Sequence, residues 1–217
     1  MRHLFAVMFV IVSVIHLIGC LVRQPNWLRR ISKPLLMLSL TASYCVLADD
    51  IHLLVIFALL FACAGDTLLL FPSSNMCFVC GGICFCLCHI SYILIFLSDT
   101  KSLVSSPILI AGLFCLYAVT VYVVLRCIRD SIPRRLSVPV KGYLILVAAM
   151  GICAFIRSDA MPSIGKLIWI GSVFFLISDS ILLYDKFKYN GKHSRAMSFT
   201  VMFTYLLAQS LIVRGIC

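Results

Sequence analysis

Hydrophobic runs of membrane length, broken by short polar stretches, recur from one end of the chain to the other. Eight such runs occupy residues 3–22, 34–48, 51–71, 76–97, 107–125, 140–156, 164–184 and 197–213. A helix needs about 20 apolar residues to cross a hydrocarbon core of about 30 Å. The second run, only 15 residues long, must stand less tilted or thin the bilayer locally. The pattern predicts an all-α, polytopic bundle of eight transmembrane helices, forming a single integral membrane domain over residues 1–217.

Composition removes the alternative of a soluble fold. Of 217 residues, 63% are hydrophobic and 12% charged, and the mean hydropathy is +1.12, more apolar surface than a soluble domain of this size can bury. The net charge of +10 would point to nucleic acid in a soluble protein. Here the cations fall between the spans, so no nucleic-acid partner is expected and the charge is read as membrane orientation. Thirteen of the 18 Lys and Arg residues follow odd-numbered runs: Arg23, Arg29, Arg30 and Lys33; Arg126, Arg129, Arg134, Arg135 and Lys141; Lys186, Lys188, Lys192 and Arg195. Arg2, Lys101, Arg157, Lys166 and Arg214 lie on the opposite side. The positive-inside rule then places loops one, three, five and seven in the cytoplasm and both termini outside it. The expected location is a multi-pass protein of the endoplasmic reticulum membrane in a eukaryote, or of the inner membrane in a bacterium.

Met1-Arg2-His3 before an apolar run imitates a signal peptide, and Leu17-Ile18-Gly19-Cys20 imitates a lipoprotein cleavage site. Full membrane length and the charged loop that follows favour a retained first helix. The 12 cysteines invite a metal reading, above all Cys77, Cys80, Cys84, Cys86 and Cys88 beside His89. On one helix Cys77 and Cys88 stand about 16 Å apart, too far to share one tetrahedral ion. Small thiols that let helices approach closely are the simpler account, and no metal is expected.

An internal repeat carries the chemistry. Gly65-Asp66-Thr67-Leu68-Leu69-Leu70-Phe71 ends the third run, and Ser178-Asp179-Ser180-Ile181-Leu182-Leu183-Tyr184 ends the seventh, at an offset of 113 residues. Both runs cross in the same direction, so the pattern predicts a parallel four-plus-four duplication. Each aspartate lies five residues before its run ends, about 7–8 Å inside the cytoplasmic boundary. A carboxylate there must face the bundle interior, a partner or water. The following runs bring His89 and Tyr92, then Tyr205 and Gln209, near the midplane, which implies a polar pocket open to the cytoplasm. The structural alternatives are that the aspartates pair with Lys33 or cap helix ends, that His89 is a hydrogen-bonded core histidine, that the tyrosines pack with satisfied hydroxyls, and that Gln209 joins helices. His16 reads as structural, and Asp49, Asp50 and His52 as a solvated turn on the opposite face.

Taken together, Lys33-Pro34-Leu35, Gly65-Asp66-x-Leu68-Leu69, Gly82-x-x-Phe85-x-x-x-His89-x-x-Tyr92, Gly171-x-x-x-Phe175-x-x-Ser178-Asp179 and Tyr205-x-x-Ala208-Gln209 resemble the YhhN family of eight-span membrane proteins. The resemblance runs from about residue 30 to 213. Residues 107–160 share in it only as apolar spans, and Ser172 stands where the family usually has Ala. Studied members are lysoplasmalogenases, so the resemblance implies a hydrolase acting on an ether bond, with a lysophospholipid substrate and no cofactor. It casts Asp66 and Asp179 as an acid/base pair, with His89, Tyr92, Tyr205 and Gln209 shaping the pocket. Lys33 would meet the lipid phosphate at the pocket's mouth. A small-molecule or lipid transporter with a midplane polar site is the alternative, since carriers also build sites between repeats. A receptor-like or scaffold protein, in which the aspartates only pack the bundle, is the other.

Overall fold

The computed structural model describes residues 4–22, 26–71, 74–98, 107–160, 165–189 and 195–217. Arg2, Arg23, Lys101 and Lys192, four of the cations used above for orientation, lie outside the described residues, as does the Met1-Arg2-His3 leader. Among the described residues there is no strand. The helices are α1 (Leu4–Leu21), α2 (Asn26–Leu47), α3 (Leu53–Leu68), α4 (Asn75–Ser98), α5 (Pro107–Ile128), α6 (Arg134–Ala160), α7 (Gly165–Lys188) and α8 (Arg195–Ile216), with a 3-10 turn at Arg129–Ser131 after α5. By length and composition, α1, α4, α5 with its following turn, α6, α7 and α8 are each capable of crossing a membrane.

The two helices outside that set correct the sequence reading. Run two was expected to begin at Pro34, yet α2 begins at Asn26 and carries Arg29, Arg30 and Lys33 within the helix. These residues were expected in a loop. Long cationic side chains can lie along a helix while their heads seek water or a counter-ion, so charge does not end the helix. Pro34 has no N–H to offer the Arg30 carbonyl one turn back, and the helix continues regardless. Run three is expected to reach Phe71, whereas α3 stops at Leu68 and spans only about 24 Å. There Leu69 turns out of the helix, its N–H on the Gly65 carbonyl at 3.0 Å, and Leu70 and Phe71 bond to Thr67 and Leu68. Run six likewise starts early, at Arg134, so that Arg134, Arg135 and Lys141 are helical, and Pro139 sits inside α6.

The chain divides into two compact units, Met1–Ile95 with Cys217, and Phe96–Ile216. In the first, α1 packs on α2 and α2 on α3. A hydrogen bond joins His16 of α1 to Ser32 of α2 at 2.7 Å, and Ser32 donates in turn to the Leu28 carbonyl, so His16 Nδ1 is the donor. His16 is thus a tie between helices, as the sequence suggests. The Tyr44 hydroxyl accepts the His52 N–H at 2.8 Å and closes the α2–α3 turn, where Asp49 and Asp50 are exposed. Ser74 caps α4 by accepting the Cys77 N–H at 3.2 Å. Gly65 and Phe85 bring α3 and α4 together: a Cβ at Gly65 would stand 2.8 Å from the Phe85 ring.

In the second unit, α5 packs on α6 and α7, α6 on α7, and α7 on α8. Gly171 permits the close approach of α7 to α8, because a Cβ there would meet the Ala208 carbonyl at 2.9 Å and the Ile212 nitrogen at 3.1 Å. Ser178 adds a hydrogen bond from α7 to the Val201 carbonyl of α8 at 2.9 Å.

Candidate functional site

Two buried carboxylates stand out, one in each unit. Asp66 lies two residues before the end of α3, its side chain 4% exposed. Lys33 reaches it from α2 with Nζ 3.2 Å from Oδ1, its own side chain 14% exposed. A buried carboxylate is expensive to desolvate unless paired, and this pair supplies the counter-charge. The pairing is the one weighed above as a structural alternative, and it places Lys33 on a helix beside the carboxylate. The same α3 turn is tied by Thr67, which donates to the Cys63 carbonyl at 2.8 Å, while Cys63 lies 3.5 Å from the Pro34 carbonyl of α2.

Asp179 lies on α7, 4% exposed, nine residues before that helix ends. Its Oδ2 accepts the Tyr143 hydroxyl of α6 at 2.5 Å. Sequence reasoning missed Tyr143. It stands where α6 passes from its charged first turns into its apolar body, and nothing in its immediate neighbours singles it out.

His89 and Tyr92 are both fully buried on α4. They follow Phe85 at i+4 and i+7, the face of α4 that packs against Gly65 of α3. Tyr205 and Gln209 share a face of α8 at i and i+4; Gln209 is fully buried, and Tyr205 meets the Phe175 ring of α7 edge to face at 5.5 Å. All four polar residues are therefore interior. The structure brings Lys33 to Asp66 and adds Tyr143 to Asp179.

Two further buried charges escape the sequence reading. Arg157, expected in a loop, lies inside α6 and is buried, and Asp185 is buried in the last turns of α7. Among the described residues, no group of three or more His, Cys, Asp or Glu side chains could hold a metal ion, and the 12 cysteines are thiols outside any disulfide. No curated protein and no solved structure matches the chain. A profile of one family does, over residues 28–216, which is nearly the whole chain: the protein belongs to the YhhN family.

Proposed function

We propose that the protein is a membrane hydrolase of the lysoplasmalogenase type, cleaving the vinyl ether bond of a lysophospholipid with Asp66 and Asp179 as its acid/base carboxylates. The observation that carries this reading is one buried aspartate in each unit, engaged by a polar side chain from the helix before it. Family membership supports it. An eight-span topology and a four-plus-four duplication are part of the same proposal, and the order of α2 with α3, and of α6 with α7, supports the duplication.

The reaction begins when a proton is added to the β-carbon of the vinyl ether, leaving an oxocarbenium ion. Water adds to that cation and loses a proton, which gives a hemiacetal. The hemiacetal then breaks its bond to the glycerol oxygen, releasing a fatty aldehyde and a glycerophospho-alcohol. Such a sequence needs one group that delivers a proton and one anion that steadies the cation and takes a proton from water, as paired carboxylates do in glycosidases. Asp66, held as an anion by Lys33, suits the second role. Asp179, hydrogen-bonded to a phenol that can itself pass a proton, suits the first. His89, Tyr92, Tyr205 and Gln209 orient water and the ether oxygen.

The test is turnover of a defined lysoplasmalogen by purified protein, read as aldehyde release. Asp66→Asn and Asp179→Asn should each lower turnover by about 10²-fold or more, about 2.7 kcal/mol of transition-state stabilisation. The double variant should be little worse than the poorer single one, since both act in one proton relay. Wild-type turnover in either folded Asn variant would refute the two-carboxylate mechanism.

A further inference from the structure

The second unit contains a groove that the acid/base scheme does not use. It has a volume of about 510 Å³ and lies between α5, α7 and α8. Its walls are three one-turn ribs: Val123 and Cys127 on α5, Ser180 and Tyr184 on α7, Ala196 and Thr200 on α8. In each rib the residues are four apart, so the groove follows the helices for about one turn, about 6 Å. Cys127, Tyr184 and Ala196 lie at the end where α5 and α7 finish and α8 begins; Val123, Ser180 and Thr200 lie one turn inward.

Three observations say what chemistry fits. Val123, Cys127, Ala196 and Thr200 are exposed, so the groove opens along its length to the outside of these three helices. At its inner end the Ser180 hydroxyl is buried and has no hydrogen-bond partner among the described residues, which leaves a donor for a ligand oxygen. Just beyond its outer end stand exposed Arg126 on α5, Arg129 in the turn after it, Lys188 on α7 and Arg195 on α8, with exposed Asp130 as the acid beside them. A ligand that is apolar along its length, carries oxygen near one end and ends in an anion matches all three. Ser180 also directly follows Asp179 on α7, so the inner end of the groove is level with the proposed acid.

We propose that this groove docks the single-chain phospholipid substrate, its phosphate on Arg126, Arg129 and Arg195, a glyceryl oxygen on Ser180 and its chain running inward past Val123 and Thr200. This rests on the lysoplasmalogenase reading for the identity of the substrate, and binding can be measured without turnover.

The probe is a saturated alkyl-ether lysophosphocholine, which cannot be cleaved as a vinyl ether, carrying a diazirine on its chain close to the ether. Irradiated with the purified full chain in detergent, it should label peptides of α5, α7 and α8 that line the groove. Thr200→Trp, which fills the groove from an exposed position, should reduce that labelling about tenfold and raise KM for lysoplasmalogen similarly with kcat little changed. Ile108→Trp, also exposed but on α5 outside the groove, should change neither. Labelling outside the groove, or labelling and KM untouched in folded Thr200→Trp, overturns the proposal. So does equal labelling by a diacyl phosphatidylcholine with the same diazirine, since the groove would then hold ordinary bilayer lipid. Groove labelling that Thr200→Trp abolishes, in wild-type protein without vinyl ether hydrolysis, supports the lipid site and refutes the reaction instead. Hydrolysis with labelling elsewhere refutes the site alone.

Discussion

Replacing Lys33 by Met should destabilise the protein more than replacing both members of its ion pair. The Nζ to Oδ1 distance is 3.2 Å. At that distance two unit charges attract by about 5 kcal/mol at an effective dielectric constant of about 20. Breaking a buried pair from one side costs about 3–5 kcal/mol, because the remaining charge stays buried without compensation. Lys33 keeps 14% of its side chain exposed, so water already shares part of its solvation and the low end, about 3 kcal/mol, is expected. For a chain of this size that corresponds to a fall in melting temperature of about 6–12 °C. Lys33→Met with Asp66→Asn leaves two neutral side chains of similar volume and should recover most of the loss. A thiol-reactive dye reads the transition, since the Cys20 and Cys88 thiols are buried in the folded protein and become accessible on unfolding. Activity should behave differently: the double variant regains stability and remains inactive on lysoplasmalogen. Additive destabilisation in the double variant would refute the energetic coupling of the pair. Recovered turnover in it would remove Asp66 from the chemistry.

Tyr143→Phe removes the hydroxyl that donates to Asp179 and should lower kcat about tenfold or more with KM nearly unchanged, as expected when a group supports proton transfer and not binding; an unchanged kcat and pH profile would make Tyr143 purely structural. Replacing Cys77, Cys80 and Cys84 together with Ala should leave turnover within a few fold, because thiols that pack helices are replaceable by other small residues; stoichiometric zinc lost together with activity in that variant would contradict this. In a background without native thiols, single cysteines placed after α5 and after α7 should be labelled only from the cytoplasmic side, and labelling from outside would reverse the orientation read from the cations.

The bodies of the helices were legible because a run of about 20 apolar residues has few other uses. Their ends were not, and the reason is specific. A charge between two apolar runs reads as loop, but Arg29, Arg30 and Lys33 are helical in α2, and Arg134, Arg135 and Lys141 are helical in α6. Periodicity cannot see that Lys33 has a counter-ion 33 residues further along, and that partner is what makes its helical position tolerable. Arg157 misled for the same reason: counted as a loop cation, it lies buried inside α6. The burial of the two aspartates was legible through the sequence pattern around them, which needs no knowledge of contacts. Tyr143 could have been found by pressing the repeat further. Lys33 displaced by the 113-residue offset falls on Leu146, one helical turn from Tyr143.

That displacement bears on the division of roles proposed for the two aspartates. In each unit the aspartate sits on one helix and its partner on the helix before it, α2 before α3 and α6 before α7. That placement recurs while the partner's chemistry does not. An ammonium fixes a negative charge beside it and accepts no hydrogen bond, whereas a phenol both donates and accepts, and so can take part in moving a proton. Two identical carboxylate sites would have no reason to act differently in one turnover. A lysine one turn out of register with a tyrosine supplies that difference, because environment, and not the carboxyl group itself, separates an acid from a base. Exchanging the partners is therefore the sharpest perturbation of the proposed mechanism: with Lys33→Tyr, Tyr143→Lys, or both, the carboxylates remain, and turnover on lysoplasmalogen should fall in every case.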